Sequence, residues 1–179
     1  MPGIGEGMNA TEDHYEHAVR VRNPELLLRA ETPGDADFLS ALFMASSPLA
    51  GLLPEPILRQ QALAQQIGHR TDFPHAMRRI VALGGADIGH VVIDWSDRES
   101  CYCVDIAILP GAQRGGIGGQ LLEAWTEVAD RLNRSCRLQV MTDNPARRIY
   151  ERMGFMPQAG TDPHSPLVEL ARPIRQRPA

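Results

Sequence analysis

The chain has 179 residues, 43% hydrophobic and 22% charged, with a formal net charge of −4. That length supports one self-standing core, and the acidic balance argues against nucleic acid as the main partner, because phosphate backbones reward a basic face. All 18 basic residues are arginine, which removes Lys Schiff-base chemistry and any P-loop lysine. Cys101, Cys103 and Cys136 make no even disulfide framework, and the N-terminus lacks an apolar signal core. No window reaches the ~18 consecutive apolar residues of a membrane span. A reduced cytoplasmic compartment and no membrane partner are therefore expected.

Residues 1–24 mix Gly, Asn, Glu, Asp and His with few large apolar groups, and are expected to form a flexible tail in which His14 and His17 are solvated. A single domain is expected over 25–179. "LLLRA" (Leu26–Ala30) is a short strand. Thr32 or Asp35 can cap a helix carrying Phe38, Leu39, Leu42 and Phe43 on one side. A second helix, from about Pro56 to Gly68, has a glutamine-rich polar face. Arg78–Leu83 and Ile88–Trp95 flank "GGAD", whose glycines supply the positive φ of a hairpin turn. Ser100–Pro110 is another strand with a polar break at Asp105. Cys101 and Cys103 share one of its faces and read as small core residues, with no metal site expected.

Five glycines then fall between Gly111 and Gly119, and a helix follows with Leu121, Leu122, Trp125, Val128, Ala129 and Leu132 on one stripe. Cys136–Met141 is a fifth strand. Asn144 caps a helix with Pro145 at its first position and Gly154 past its end. "FMPQ" and "PLVELA" complete the sheet, so the expected order is β α α β β β α β α β β, a mixed α/β chain.

The glycine turn fits neither of two common phosphate motifs. After Gly116 and Gly118 the third position of a dinucleotide fingerprint is Leu121, and Ile117-Gly118 stands where a P-loop needs Lys-Ser/Thr. A third pattern, Gln/Arg-x-x-Gly-x-Gly, is met by Gln113, Gly116 and Gly118. Consecutive backbone N–H groups at a helix N-terminus favour an anion. The glycines alone are equally well explained as a tight strand-to-helix turn.

"DIAILPGAQRGGIGGQLL" followed about thirty residues later by "DNPARRIYERMGF" (Asp143–Phe155), with a strand between, strongly resembles the GNAT superfamily of acyl-CoA-dependent N-acetyltransferases. The resemblance covers residues 26 to 171. It implies an α/β (α+β) fold with a mixed, mostly antiparallel central sheet of about seven strands flanked by about four helices. It also implies acetyl-CoA (coenzyme A) as acyl donor, with no metal. Gln113, Arg114, Gly115, Gly116, Ile117, Gly118 and Gly119 match the loop whose amides hold the coenzyme pyrophosphate. Ile106, Ala107 and Ile108 match the strand that splays from its neighbour and pairs with the pantetheine arm, one amide polarising the thioester carbonyl. Asn144 and Tyr150 match positions against the pantetheine and its sulfur. Ala112 departs from the bulky residue common before the loop, with no loss of chemistry expected.

Acyl transfer to an amine needs a neutral amine, a polarised carbonyl and a protonated leaving thiolate. Tyr150 is the candidate general acid, although Ala146, Ile149, Tyr150 and Met153 also form an ordinary packing stripe. Asp105 is the candidate base; it could instead only bind the acceptor's ammonium or sit at a solvated strand end. His90 and Asp94 are weaker candidates, adequately explained by exposed strand positions. His69, His75 and His164 fall in or near predicted loops and could line an acceptor pocket. That pocket is expected between the helices at about Asp35–Ser46 and Pro56–Gly68 and the C-terminal strands. The expected function is transfer of an acetyl group to a primary amine, of a small molecule or a protein N-terminus, by direct attack in a ternary complex. The rival is a non-catalytic acyl-CoA-binding or sensing module on the same fold. The acceptor's identity and a homodimer stay open.

Overall fold

Seven strands, most of them short and alternating, build the centre of the structure, a computed structural model that describes residues 4–158 and 165–175. They are β1 (Leu26–Ala30), β2 (Met77–Leu83), β3 (Ala86–Asp94), β4 (Ser100–Ile108), β5 (Ser135–Met141), β6 (Met156–Pro157) and β7 (Leu167–Arg172). Their order in the sheet is β1-β2-β3-β4-β5-β7-β6. Every neighbouring pair is antiparallel except β4–β5, which is parallel. Helices α2 (Ala36–Ser46) and α3 (Glu55–Asp72) cover one face; α1 (Ile4–Arg22), α4 (Ile117–Arg131) and α5 (Arg147–Arg152) lie on the other. The mixed α/β fold around a mostly antiparallel sheet is the one expected.

Local chemistry explains most boundaries. Gly84 and Gly85 turn the β2–β3 hairpin with φ of +59° and +84°, the pair of positive values that suits the twist of the flanking strands. Thr32 and Asp35 form a capping box around the short 3₁₀ turn Pro33–Asp35, which leads into α2. Arg29 grips Asp35 and Asp87, each at 2.6 Å, and so ties β1, that turn and β3 together. On α4 the residues Leu121, Leu122, Trp125, Val128 and Ala129 are all buried. Trp125 stacks on Phe155 at 5.6 Å and donates its indole N–H to Cys101 Sγ at 3.0 Å. At the far end of α4, Asp130 receives Arg172 of β7 in a two-pronged pair at 2.8 and 2.7 Å.

The N-terminal segment departs from expectation. Residues 4–22 are the helix α1 rather than part of a flexible tail over 1–24. Thr11, Tyr15, Ala18 and Val19 recur at helical spacing and are buried, with Tyr15 and Val19 fully enclosed. Tyr15 lies 6.3 Å from the Trp95 ring and reaches the Leu121 carbonyl. Arg79 of β2 sits between Glu12 and Glu16 at 2.8 and 2.7 Å, and Arg22 pairs with Glu127 of α4. The polar composition that suggested a tail is thus largely spent on ion pairs with other elements, while His14 and His17 are exposed on the outer side.

One irregularity in the sheet matters most. Val92 faces Asp105 while Ile93 faces Cys103, so Val104 is an extra residue, a β-bulge in β4. The parallel β4–β5 pairing runs from Ser100↔Ser135 to Cys103↔Leu138 and stops there. Beyond that point β5 pairs only with β7, and β4 only with β3. The two central strands therefore part like a V whose closed end is held at Cys101 and Cys136, with sulfurs 3.8 Å apart.

Because Tyr15 is fully enclosed, Tyr15→Ala should lower the free energy of unfolding by about 3–5 kcal/mol, as truncation of large buried aromatics does. Urea denaturation checks this; a solvated tail would leave the midpoint unchanged.

Candidate functional site

A cleft of about 1030 Å³ opens where β4 and β5 part. Its floor is the bulged half of β4, its walls are α2 and α3 on one side and the chain entering α5 on the other, and the start of α4 closes one end. The N–H of Leu109 donates to the Ile88 carbonyl of β3 at 2.8 Å. Backbone groups alternate along a strand, so those of Ala107 also point to β3, and those of Ile106 and Ile108 point into the open gap. Gln113 donates its side-chain amide to the Ile108 carbonyl at 2.8 Å, which fastens the loop to this edge. Gly89 lets β3 and β4 approach there: a Cβ at residue 89 would stand 2.5 Å from the Ala107 carbonyl oxygen.

The glycine turn is a 3₁₀ segment, Pro110–Gly115, followed by Gly116 with φ of +70° and then α4. Gly116 is accounted for by that left-handed conformation. Gly118 and Gly119 are different: they lie in the first turn of the helix, and a Cβ on either would meet nothing within 4 Å. Glycine inside a helix costs about 1 kcal/mol relative to alanine, so neither conformation nor packing within the chain requires these two. The first helical bond is Gln120 N–H to the Gly116 carbonyl. The N–H groups of Ile117, Gly118 and Gly119 precede it without helical partners, at the positive end of a 15-residue helix. Such a helix start suits an anion that comes close to bare backbone.

On the opposite wall, Asn144 accepts the Ala146 N–H on its side-chain oxygen at 2.8 Å. The regular helix begins only at Arg147, so Asn144 and Pro145 make a turn ahead of it rather than its cap and first residue. Gly154, with φ of +92°, follows its end as expected. Tyr150 lines the cleft and packs edge-on against Phe155 at 6.0 Å. Burial, reinforced by Cys103 and Asp105, pushes its phenol above the ordinary value, so it stays protonated at neutral pH.

The floor of the cleft beside α2 and α3 holds a line of charged groups. His90 Nε2 lies 2.8 Å from Glu31 Oε2, and His90 Nδ1 lies 3.6 Å from Asp105 Oδ2. The second oxygen of Glu31 pairs with Arg70 of α3. The His90 side chain is 10% exposed and that of Glu31 5%, whereas Asp105 keeps 26%. Asp105 is therefore the carboxylate that a ligand in the cleft can reach. Burial alone would disfavour the imidazolium, but Asp105 and Glu31 outweigh it and the His90 pKa is raised. Burial likewise opposes ionisation of Glu31, yet His90, Arg70 and Arg78 hold its pKa below the usual value. Arg78 spends its guanidinium on the carbonyls of His69, Phe73 and Ala76 and so ties down the end of α3.

The structure thus brings Asp105, Ile106, Ala107, Ile108, Gln113, Gly116, Gly118, Gly119, Asn144 and Tyr150 to one cleft. Ile117 turns its side chain into the core, Gly115 is exposed outside the lining, and the Arg114 side chain and His164 lie outside what the structure describes. His69 lines the cleft; His75 does not, and Asp94 bonds Ser96 in a loop away from it. Of the elements expected to build an acceptor pocket, α2 and α3 line the cleft, but β6 and β7 contribute no lining residue among those described. His90 is buried rather than at an exposed strand position, and Glu31 was missed altogether. No sequence motif marks Glu31, since its partners come from three other elements. Among the described residues, no three His, Cys, Asp or Glu side chains group as a metal site would, and no helix is long and apolar enough to cross a membrane.

Residues 77–157 match the family model described as acetyltransferase (GNAT) domain, which bears out the resemblance seen in the sequence. No curated protein matches the chain significantly. Among solved structures, Ard1 from Thermoplasma volcanium is 20% identical, with a TM-score of 0.61, over 85% of this chain and 99% of that one. The PaiA N-acetyltransferase from Thermoplasma acidophilum, in complex with coenzyme A, is 17% identical with a TM-score of 0.60, over 83% and 98%. The ribosomal-protein-S18-alanine N-acetyltransferase from Escherichia coli is 19% identical with a TM-score of 0.57, over 86% and 96%. At these identities the likeness is one of fold.

The raised pKa of His90 has a thermodynamic signature. A group whose folded pKa exceeds its unfolded value contributes stability that is complete below the unfolded value and is lost as pH rises through the folded one. The stability advantage of the wild type over His90→Gln should therefore be larger at about pH 6 than at about pH 8.5, on either side of the ordinary imidazole range. Urea denaturation of both proteins at the two pH values checks the sign.

Proposed function

We propose that this chain, whose residues 77–157 match a GNAT acetyltransferase domain, moves an acetyl group from acetyl-CoA to a primary amine by direct attack in a ternary complex. The acceptor is a small molecule or a protein N-terminus. One observation carries the reading: the open edge of β4 runs directly to a helix start where Gly118 and Gly119 leave bare backbone that packing does not demand. An extended acyl carrier ending in a pyrophosphate fits that pairing of features, and a bare phosphate would need only the second. The coenzyme A held by a neighbour of the same fold supports it.

Bound acetyl-CoA would supply the activated thioester, and the remaining chemistry falls to this chain. The amides of Ile117, Gly118 and Gly119, with the loop from Gln113, would hold the pyrophosphate. The backbone groups of Ile106 and Ile108 would pair with the pantetheine arm as an added strand, and an amide of this edge would polarise the thioester carbonyl. Asp105 removes a proton from the acceptor's ammonium. As the C–N bond forms and the C–S bond breaks, Tyr150 gives its phenolic proton to the departing sulfur. The nitrogen's second proton restores Tyr150, directly or through water. A phenol can donate here because its ordinary basicity is close to that of a departing thiolate, and burial keeps the Tyr150 proton in place at neutral pH.

Three measurements test the reading. Acetyl-CoA should raise the melting temperature of the wild type, and Gly118→Glu should abolish that shift while leaving the unliganded protein at least as stable, since a carboxylate suits a helix N-terminus. Tyr150→Phe should lower turnover by about 10²–10⁴-fold, the span of one general acid, with little change in coenzyme affinity; unchanged turnover removes Tyr150 from the chemistry. Release of free thiol from acetyl-CoA across a panel of amines decides activity, and binding without turnover on every amine would mark an acyl-CoA sensor instead.

A further inference from the structure

His90 is a buried titratable side chain whose two ring nitrogens each face a carboxylate. Ionised carboxylates only accept, whereas a neutral imidazole has one donor and one acceptor. Glu31 Oε2 lies 2.8 Å from Nε2, within hydrogen-bond distance, so Nε2 carries a hydrogen in either charge state of the ring. Arg70 occupies the other Glu31 oxygen, which keeps that carboxylate ionised and its Oε2 committed to His90. The tautomer is thereby set, and Nδ1 alone is left to change state. Across 3.6 Å, Nδ1 faces Asp105 Oδ2. With neither group protonated, two lone pairs oppose each other there, and the space between them accommodates one proton.

We propose that Asp105 and His90 work as a single proton-sharing pair on the acceptor side, with Glu31 as the positioning residue that presents Nδ1 to Asp105. The chemistry of this pair rests on the amine-acetylation reading above, although its geometry does not. Asp105, the exposed member, takes the proton from the acceptor's nitrogen; the Asp105 O–H then passes it to the Nδ1 lone pair of neutral His90. Asp105 is again ionised, and the imidazolium lies between two carboxylates. Once the product has left, the proton returns from Nδ1 to Asp105, the exposed member, and passes to solvent, so protons balance without a further reactant. The groups around His90 are consistent with this division of work. Glu31 follows β1, Asp105 stands on β4, Arg78 on β2, and His69 and Arg70 on α3. Arg78 bonds carbonyls and adds only positive potential. His69 is kept toward its neutral form, chiefly by burial. No other carboxylate among these groups competes for Nδ1.

The pair is tested without knowing the acceptor. The imidazole nitrogens of the six histidines can be followed by NMR through a pH titration, with His90 assigned from the signal lost in His90→Gln. The expected result is a His90 ring hydrogenated on Nε2 throughout, titrating above the ordinary value. Glu31→Gln and Asp105→Asn should each lower that midpoint by about one pH unit while acetyl-CoA affinity is retained. With an amine that is turned over, the acid limb of kcat/KM should move down in Glu31→Gln by the same interval as the NMR midpoint. A His90 midpoint unmoved by Asp105→Asn, or a ring hydrogenated on Nδ1 in its neutral form, overturns the pair whether or not any amine is acetylated. Failure of every amine in the thiol assay, with the midpoints moving as expected, would count instead against the acyl-transfer reading.

Discussion

The organisation of this protein turns on hydrogen bonds that two adjacent strands do not make. Sheets are stabilised by pairing, and a backbone amide or carbonyl left without a partner away from water is costly. Yet β4 and β5 pair for only four residue positions before they separate. The bulge at Val104 bends β4 at the point of parting. The other ends of the two strands are held together by a buried core of Cys101, Cys136 and Trp125. The gap is therefore a deliberate opening at one end of an otherwise well-packed joint, and water or a ligand must complete the exposed edge.

The rest of the molecule keeps that opening from collapsing. Helix α4 presses a full apolar stripe against the closed end and points its first turn at the open one. Arg172 and Asp130 fix the far end of α4 to β7. Gly89 sets how closely β3 can support the free edge, because no side chain fits between residue 89 and the Ala107 carbonyl. On the other face, α3 turns Gln61, Gln65 and Gln66 toward the cleft and leaves Ile57, Leu63 and Ile67 exposed. The buried charges under that face are acceptable only as a connected set. Glu31 without His90 and Arg70 would be an ion with almost no solvent.

Local signals in the sequence were sufficient for most of this architecture. The Gly84-Gly85 turn, the Thr32/Asp35 box, the α4 stripe and the glycine-rich start of α4 all act over a few residues, and all appear where their chemistry placed them. The half of the site proposed for the cofactor shares that property, because a loop and the strand before it are contiguous in the chain. Two things were not legible. Helix α1 is held by the Leu121 carbonyl, which Tyr15 reaches, and by Arg79 and Glu127, partners more than sixty residues away. Its own composition therefore resembled that of a tail. The Glu31–His90–Asp105 line joins residues from the end of β1, from β3 and from β4. Each looks like an ordinary polar strand residue until the sheet sets them side by side.

The clamps described above, at Arg29, Arg79 and Arg172, are all made by guanidinium groups, as they must be in a chain with no lysine. A guanidinium remains charged at any physiological pH and binds carboxylates by two prongs. It is also a far poorer nucleophile than an amine. A thioester bound in this cleft would meet no side-chain amine anywhere on the protein that holds it. The scaffold would in this sense be chemically inert toward the thioester proposed for it: the ion pairs that tie its elements together could not be eroded one acyl group at a time.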